Sequence, residues 1–335
     1  VSSQAGTAAA PWRRDDRRGR LARVPRGPPG APRTRDVLAE TVIDPDPGSQ
    51  GGPTGATRTP HRQAAGGWGP RGRLHGAPSP LCKHARVAGD DAAFEEWRAR
   101  RAREGAHVDV LDLYDLVAEA RGIAPEALPS AEREALADRA MPVIWPGFER
   151  VGHRRRPSPV VLADPDPTWP ARFAAWREAL TEALGPAALR VEHIGSTSVP
   201  GLAAKPIVDV LLSVREPDDE VSYVPGCEKA GLELFSRDDE HRFLVNAAPA
   251  TIDAHVHACE VDGAFERDHL LFRDYLRADD AERRAYEALK RAAAAHWQDD
   301  RMAYTYAKNG WILDLLQRAG AWAARTGWAV PRAGG

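Results

Sequence analysis

The sequence predicts a mixed α/β (α+β) domain in its C-terminal half, and three observations carry that prediction. Ile207–Val214 is an almost unbroken apolar run bounded by turn residues, the composition of a buried strand. Ile252–Cys259 alternates apolar and polar residues strictly, the pattern of a strand with two different faces. Segments 169–184, 279–296 and 303–325 place apolar residues at helical spacing.

The chain has 335 residues, enough for about two domains. It is 43% hydrophobic and 28% charged, with a mean hydropathy of -0.47, which puts most of it in the core-forming class. Forty-six Lys and Arg against 48 Asp and Glu leave no global basic field, which argues against nucleic acid as a partner. No apolar run approaches the roughly 18 residues needed to cross a bilayer, and no compact apolar region follows the N-terminal arginines as in a signal peptide. Cys82, Cys227 and Cys259 are too few and too scattered for a disulfide framework. These features fit a cytoplasmic protein without a membrane partner.

In order along the chain, residues 1–84 are rich in Arg, Gly, Pro and Ala and offer no apolar periodicity. Such a segment cannot offset about 1–2 kcal/mol per residue of backbone entropy, and disorder is expected. The start at Val1 rather than Met leaves a second reading open, that part of this tail is read from an upstream start. Gly67-Trp68-Gly69-Pro70-Arg71-Gly72 has dinucleotide-loop spacing but neither a preceding strand nor a following helix, so the match is chance.

Residues 85–156 read as a small helical extension and linker. Phe94 and Trp97 share a helix face; Leu113, Leu116 and Val117 mark a second helix stopped by Gly122; Pro129-Ser130 caps a third through about Arg139. Met141–Phe148 reads as a Pro-broken connector that packs on the larger domain after it, and Arg154-Arg155-Arg156 as a solvated linker.

The informative domain spans 157–328. Val160-Val161-Leu162 reads as a short strand. Asp166 or Thr168 caps a helix carrying Trp169, Phe173, Trp176, Leu180 and Leu184, ended by Gly185-Pro186. Leu189–Ile194 is a strand, followed by the turn-rich Gly195–Pro206 and the buried strand at 207–214. Asp279 or Asp280 caps a helix to 296, Gly327 stops a helix over 303–325, and 329–335 reads as a frayed end.

The chemistry gathers around the first turn. Gly195, Ser196, Thr197 and Ser198 combine hydroxyls with backbone N–H groups suited to phosphate oxygens, and Lys205 adds positive charge. Asp209 stands alone in an apolar strand, where a carboxylate is costly unless paired or metal-bound. Asp253, His255, His257 and Cys259 share one face of the later strand, with same-face neighbours about 7 Å apart. His255 and His257 are a candidate metal pair; the alternative is that they hydrogen-bond phosphate or backbone. Cys259 fits equally as a small core residue. Arg242, Arg273, Lys290 and Lys308 are candidate phosphate contacts; the alternative is ion pairing, for instance of Arg273 with Asp274 or Glu266.

The block Glu192-His193-Ile194-Gly195-Ser196-Thr197-Ser198-Val199-Pro200-Gly201-Leu202, followed by Lys205-Pro206-Ile207-Val208-Asp209-Val210, resembles the signature of the GrpB family. Further blocks occur in order, among them His241-Arg242-Phe243, His255-Val256-His257, Leu271–Arg277, Tyr286, Lys290, Tyr304 and Lys308. The resemblance implies a nucleotidyltransferase-like fold, a mixed sheet flanked by helices. It also implies a Gly-Ser that holds triphosphate and carboxylates that bind two divalent ions for in-line displacement. Gly195-Ser196 and Asp209 have the matching separation, with 12 residues between Ser196 and Asp209, but Leu211 stands where a second carboxylate would be.

The expected function is therefore nucleotidyl or phosphoryl transfer from a nucleoside triphosphate. Asp209 and Ser196 would be catalytic, and Asp209, His255 and His257 would hold a divalent metal, magnesium or manganese, with zinc also suited to imidazole. Gly195, Ser196, Thr197, Ser198, Lys205, Arg242, Arg273 and Lys308 would hold the nucleotide or phosphorylated small molecule. The alternative is a non-catalytic nucleotide- or anion-binding module on a degenerate transferase fold. A coenzyme A connection is implied by related domains fused to dephospho-coenzyme A kinase.

Overall fold

The computed structural model describes residues 12–14, 21–23, 88–152, 159–246 and 253–331. In the N-terminal segment, β1 (Trp12–Arg14) and β2 (Leu21–Arg23) pair antiparallel. The rest of the tail expected to be disordered, and the Arg154–Arg156 run, lie outside the described residues.

Three helices come next: α1 (Ala88–Glu104), α2 (Val110–Arg121) and α3 (Ser130–Ile144). Asp109 caps α2 reciprocally with Asp112, and Gly122 ends it in the left-handed conformation that glycine adopts at low cost. The helix α3 runs past the expected stop at Arg139 and contains Pro142. Pro142 sits in the last turn, where the missing N–H removes one bond without ending the helix. The three helices share a core containing Trp97, Val108, Leu113, Tyr114, Val117 and Met141.

The main sheet begins with the short β3 (Glu149–Arg150). Val160–Leu162, expected as a strand, forms none. Its backbone is tied by separate bonds instead: Val160 N donates to the Gln298 carbonyl at 2.7 Å, and Ala163 makes an isolated bridge with Ala204. Then come α4 (Trp169–Leu184), β4 (Arg190–Ile194), β5 (Val208–Val214), α5 (Val224–Lys229), β6 (Leu232–Arg237), β7 (His241–Asn246) and β8 (Ala254–Glu260). The helices α6 (Ala264–Ala278), α7 (Asp280–His296), α8 (Arg301–Tyr306) and α9 (Asn309–Thr326) close the fold. The segment expected as one helix over 303–325 is two, broken at Ala307-Lys308 between α8 and α9.

The six strands are ordered β3-β6-β7-β8-β5-β4, and all pairs are antiparallel except β5 with β8. Parallel pairing puts Asp209 beside His255 and Leu211 beside His257. One face of the sheet, with Val208, Val210, Leu212, Val256 and Ala258, packs on Leu180 and Leu184 of α4 and Cys227 of α5. The other, with Leu211 and Cys259, meets Leu270 of α6. Both faces are covered, so β5 is buried along its whole length.

The C-terminal residues expected to fray are held as far as they are described. Val330 packs beside the cluster of Ile194, Leu211, Cys259 and Leu270, and Arg190 donates to the carbonyl of Pro331. Among the described residues no helix is long and apolar enough to cross a membrane.

Candidate functional site

The site is built on the turn between β4 and β5. Gly195 ends β4 with φ +67°, and a Cβ there would stand 2.2 Å from Asp209 Oδ2 and 2.8 Å from Asp209 Cβ. Only a glycine lets this backbone lie directly against the Asp209 side chain. Ser196–Ser198 then make one tight helical turn, and all three are buried. Ser198 Oγ donates to the Gly195 carbonyl at 2.6 Å, folding that hydroxyl back onto its own loop. Thr197 Oγ1 is 2.9 Å from His193 Nε2. Burial pushes His193 down to about 4, with Asp209 raising it and Arg277 and Arg273 lowering it further, so the ring is neutral at pH 7 and stacks on Phe173 at 4.7 Å.

Two arginines of α6 clamp this turn from behind. Arg277 donates to the Ser198 carbonyl at 3.0 and 2.8 Å. Arg273 donates to the His193 carbonyl at 3.1 Å and to Glu192 and Asp274 at 2.7 Å each. Arg273 thus ties the turn to α6 and is ion-paired with Asp274 and Glu192. Its other suggested partner, Glu266, instead pairs with Arg190 at 2.6 Å.

Asp209 and His255 meet across β5 and β8, with His255 Nδ1 at 3.3 Å from Asp209 Oδ1. They line a pocket with Ser196, Thr197, Lys205 and Ile207, to which α7 adds Lys290, α8 adds Tyr304 and the break after α8 adds Lys308. Its empty volume is about 320 Å³, part of it open to solvent. Lys290 is 1% exposed and donates to the Ala203 carbonyl; Lys308 is 2% exposed, with Nζ at 4.4 Å from the Tyr304 ring centroid. Three lysines therefore surround a pocket whose lining holds one carboxylate. Low-dielectric walls concentrate that positive field, which favours an anionic guest.

Of the residues expected from sequence, the pocket brings together Ser196, Thr197, Lys205, Asp209, His255, Lys290 and Lys308, with Gly195 against Asp209. Arg242 lies elsewhere, bonded to Glu220 at 2.6 Å and to Asp218 and the Asp238 carbonyl. His257 is also elsewhere. Its ring lies 5.8 Å from that of His241, 5.1 Å from Phe243 and 6.2 Å from His269, and burial holds it well below the usual histidine range. Tyr304 also lines the pocket, although in the sequence it stood only among the blocks of the family resemblance, with no site role given to it. Its signal was the four-residue spacing to Lys308.

The divalent pair implied by the transferase resemblance does not fit these residues. Leu211, at the position of the second carboxylate, is buried in the apolar cluster with Ile194, Cys259 and Leu270. His255 and His257 do not converge: one meets Asp209 and the other the aromatic layer. Among the described residues no three His, Cys, Asp or Glu side chains come together as a metal-holding set.

What the fold and pocket define is a mixed α/β domain with a lysine-lined pocket beside a glycine–serine turn. Residues 159–318 match the family model described as GrpB protein. A UPF0157 protein of Streptomyces coelicolor is 44% identical over 160 residues, covering 48% of this chain and 84% of that one. A UPF0157 protein of Halalkalibacterium halodurans is 42% identical over 166 residues, covering 48% and 83% respectively. A dephospho-CoA kinase of Mycolicibacterium paratuberculosis is 33% identical over 197 residues, 51% of this chain and 48% of that one. The crystal structure of conserved protein GrpB from Enterococcus faecalis shares 33% identity, covers 48% of this chain and 99% of its own, and has a TM-score of 0.44. The chain belongs to the GrpB family.

Proposed function

We propose that the pocket binds the phosphate of a nucleotide or phosphorylated small molecule, and does so without a divalent metal. The observation that supports this is the burial of Lys290 and Lys308 in the same pocket as Lys205, Ser196 and Thr197. Holding several ammonium groups in a low-dielectric lining costs desolvation energy, and a phosphate oxyanion that enters offsets part of that cost with opposite charge. Ser196 and Thr197 orient the anion through hydroxyls and backbone N–H groups, while the lysines act as point charges. The dephospho-CoA kinase relative makes coenzyme A and its precursors the first compounds to try.

The test is calorimetric titration of the full chain with inorganic pyrophosphate, ATP and dephospho-coenzyme A, each in a chelator and then in magnesium. At least one should bind in the chelator, and Lys308→Met or Lys290→Met should weaken it about tenfold or more, the scale of a charge-assisted contact. Binding that needs magnesium, or that survives both substitutions, would overturn the reading.

A second reading, nucleotidyl or phosphoryl transfer in which magnesium arrives on the nucleotide and not on a metal pair held by the protein, is favoured by the Asp209–His255 contact beside Gly195-Ser196. It predicts that Asp209→Asn abolishes a magnesium-dependent turnover while leaving the melting temperature nearly unchanged. A large loss of stability would instead mark Asp209 as structural.

A further inference from the structure

The family match begins at residue 159, and α1, α2 and α3 all precede it. This extension nevertheless grips the short segment that supplies Tyr304 and Lys308 to the pocket. The helix α8 has six residues, too few to hold its own shape, so its position comes from its neighbours.

The grip has three points. At the start of α8, Asp300 Oδ1 caps the helix by accepting from Ala303 N at 2.8 Å, while Oδ2 accepts from Arg133 Nε at 2.6 Å. Arg133 Nη1 in turn donates to the Leu128 carbonyl at 2.8 Å, which ties the cap to the turn before α3. In the middle, Ala303 and Tyr306 are part of the core of α1–α3, and Trp145 Nε1 donates to the Tyr306 hydroxyl at 3.3 Å. At the far end, Asn309 Nδ2 donates to the Ala106 carbonyl at 3.0 Å, one residue beyond Lys308. Ala303 and Tyr306 thus face the extension, while Tyr304 and Lys308 line the pocket.

We propose that residues 88–148 are an intramolecular brace that sets the position of Tyr304 and Lys308, with Arg133 as its main positioning residue. The brace couples a part of the chain outside the family match to the anion site, so ligand affinity responds to contacts far from the ligand. Its ligand readout rests on the phosphate-pocket reading, but its geometric readout does not.

Arg133→Met in the full chain tests it in two ways. Amide hydrogen exchange should speed up over residues 301–309 while β5 and β8 keep wild-type protection. The dissociation constant for inorganic pyrophosphate, measured well below the melting temperature, should rise about threefold to tenfold, the range of coupling carried through packed side chains. Arg133→Lys, which keeps the charge opposite Asp300, should recover part of both effects; a merely structural arginine would lower the melting temperature and leave affinity unchanged in the folded protein. Unchanged exchange over 301–309 overturns the brace. If Lys308→Met abolishes pyrophosphate binding while Arg133→Met leaves it intact, the brace fails and the pocket stands. If the wild-type chain binds none of pyrophosphate, ATP and dephospho-coenzyme A in a chelator, the pocket reading fails and exchange alone decides the brace; if it binds one of the other two but not pyrophosphate, that compound replaces pyrophosphate in the affinity measurement. Should Arg133→Met not fold, Trp145→Phe removes the Tyr306 contact and carries the same test, with smaller changes expected in both measurements.

Discussion

At Gly195 the backbone turns with φ +67° and passes so close to Asp209 that a Cβ would stand 2.2 Å from a carboxylate oxygen. Gly201 provides the comparison within the same turn, since its φ is +77° but nothing lies within 4 Å of the position a Cβ would take. Gly201→Ala should therefore cost only the left-handed backbone strain, about 1 kcal/mol. Gly195→Ala adds an overlap with Asp209, for a total of about 2–4 kcal/mol. Urea unfolding of the two variants measures the difference, and equal losses would show that Asp209 simply swings aside. The requirement for glycine at 195 was legible in the sequence only as a turn. That the turn presses on Asp209 was not, because the contact depends on the pairing of Ile194 with Asp209 between β4 and β5.

Among the elements, β4, β5 and α6 are joined by a buried polar knot. Arg190 of β4 and Glu266 of α6 are 2.6 Å apart with side chains 4% and 0% exposed, and Ser213 of β5 donates to the same carboxylate oxygen at 2.6 Å. Glu266→Ala leaves the Arg190 charge buried without that partner and should cost about 3–5 kcal/mol. Replacing both Arg190 and Glu266 by Met should recover part of the loss, and thermal unfolding of the single and double variants checks it. A single variant as stable as the wild type would show that water reaches Arg190. The strands β4, β5 and β8 and the helices α4 and α7 were readable from sequence because their periodicity is local. β8 alternates as its residues predict, with Val256 and Ala258 on one face and His255, His257 and Cys259 on the other. The environments along one face were not readable. Two residues on a strand advance about 7 Å, which carries the chain from Asp209 at His255 to the aromatic layer at His257. The break at Ala307-Lys308 was hidden for a similar reason, since the apolar stripe continues in register across it while α8 is held by the preceding helices.

Across the whole molecule, buried imidazoles link parts that are distant in sequence. Trp145 from the extension meets His241 of β7, which stacks on Phe265 of α6, which stacks in turn on His269 at 4.0 Å. Burial holds His269 down to about 4, although its Nδ1 contact with the Phe265 carbonyl at 2.7 Å raises it, and His193 beside the pocket turn is pushed to the same level. The unfolded chain takes up a proton at each of these rings near the ordinary histidine value of about 6.5. Their folded values are lower, so each ring contributes stability that is present above that value and is lost as pH falls toward 4. At pH 5 the loss is on the order of 2 kcal/mol for each ring. Asp268 works the other way: burial raises its carboxyl, so protonation on acidification relieves part of its desolvation. The histidines outnumber it, and the melting temperature should drop from pH 7 to pH 5. His269→Phe and His193→Gln each remove one depressed site, so each variant should lose less stability over that interval than the wild type does. Melting curves at matched ionic strength give the slopes directly. Identical slopes in wild type and both variants would mean that acid acts elsewhere in the fold, and that these rings reach water readily enough to titrate near their ordinary value.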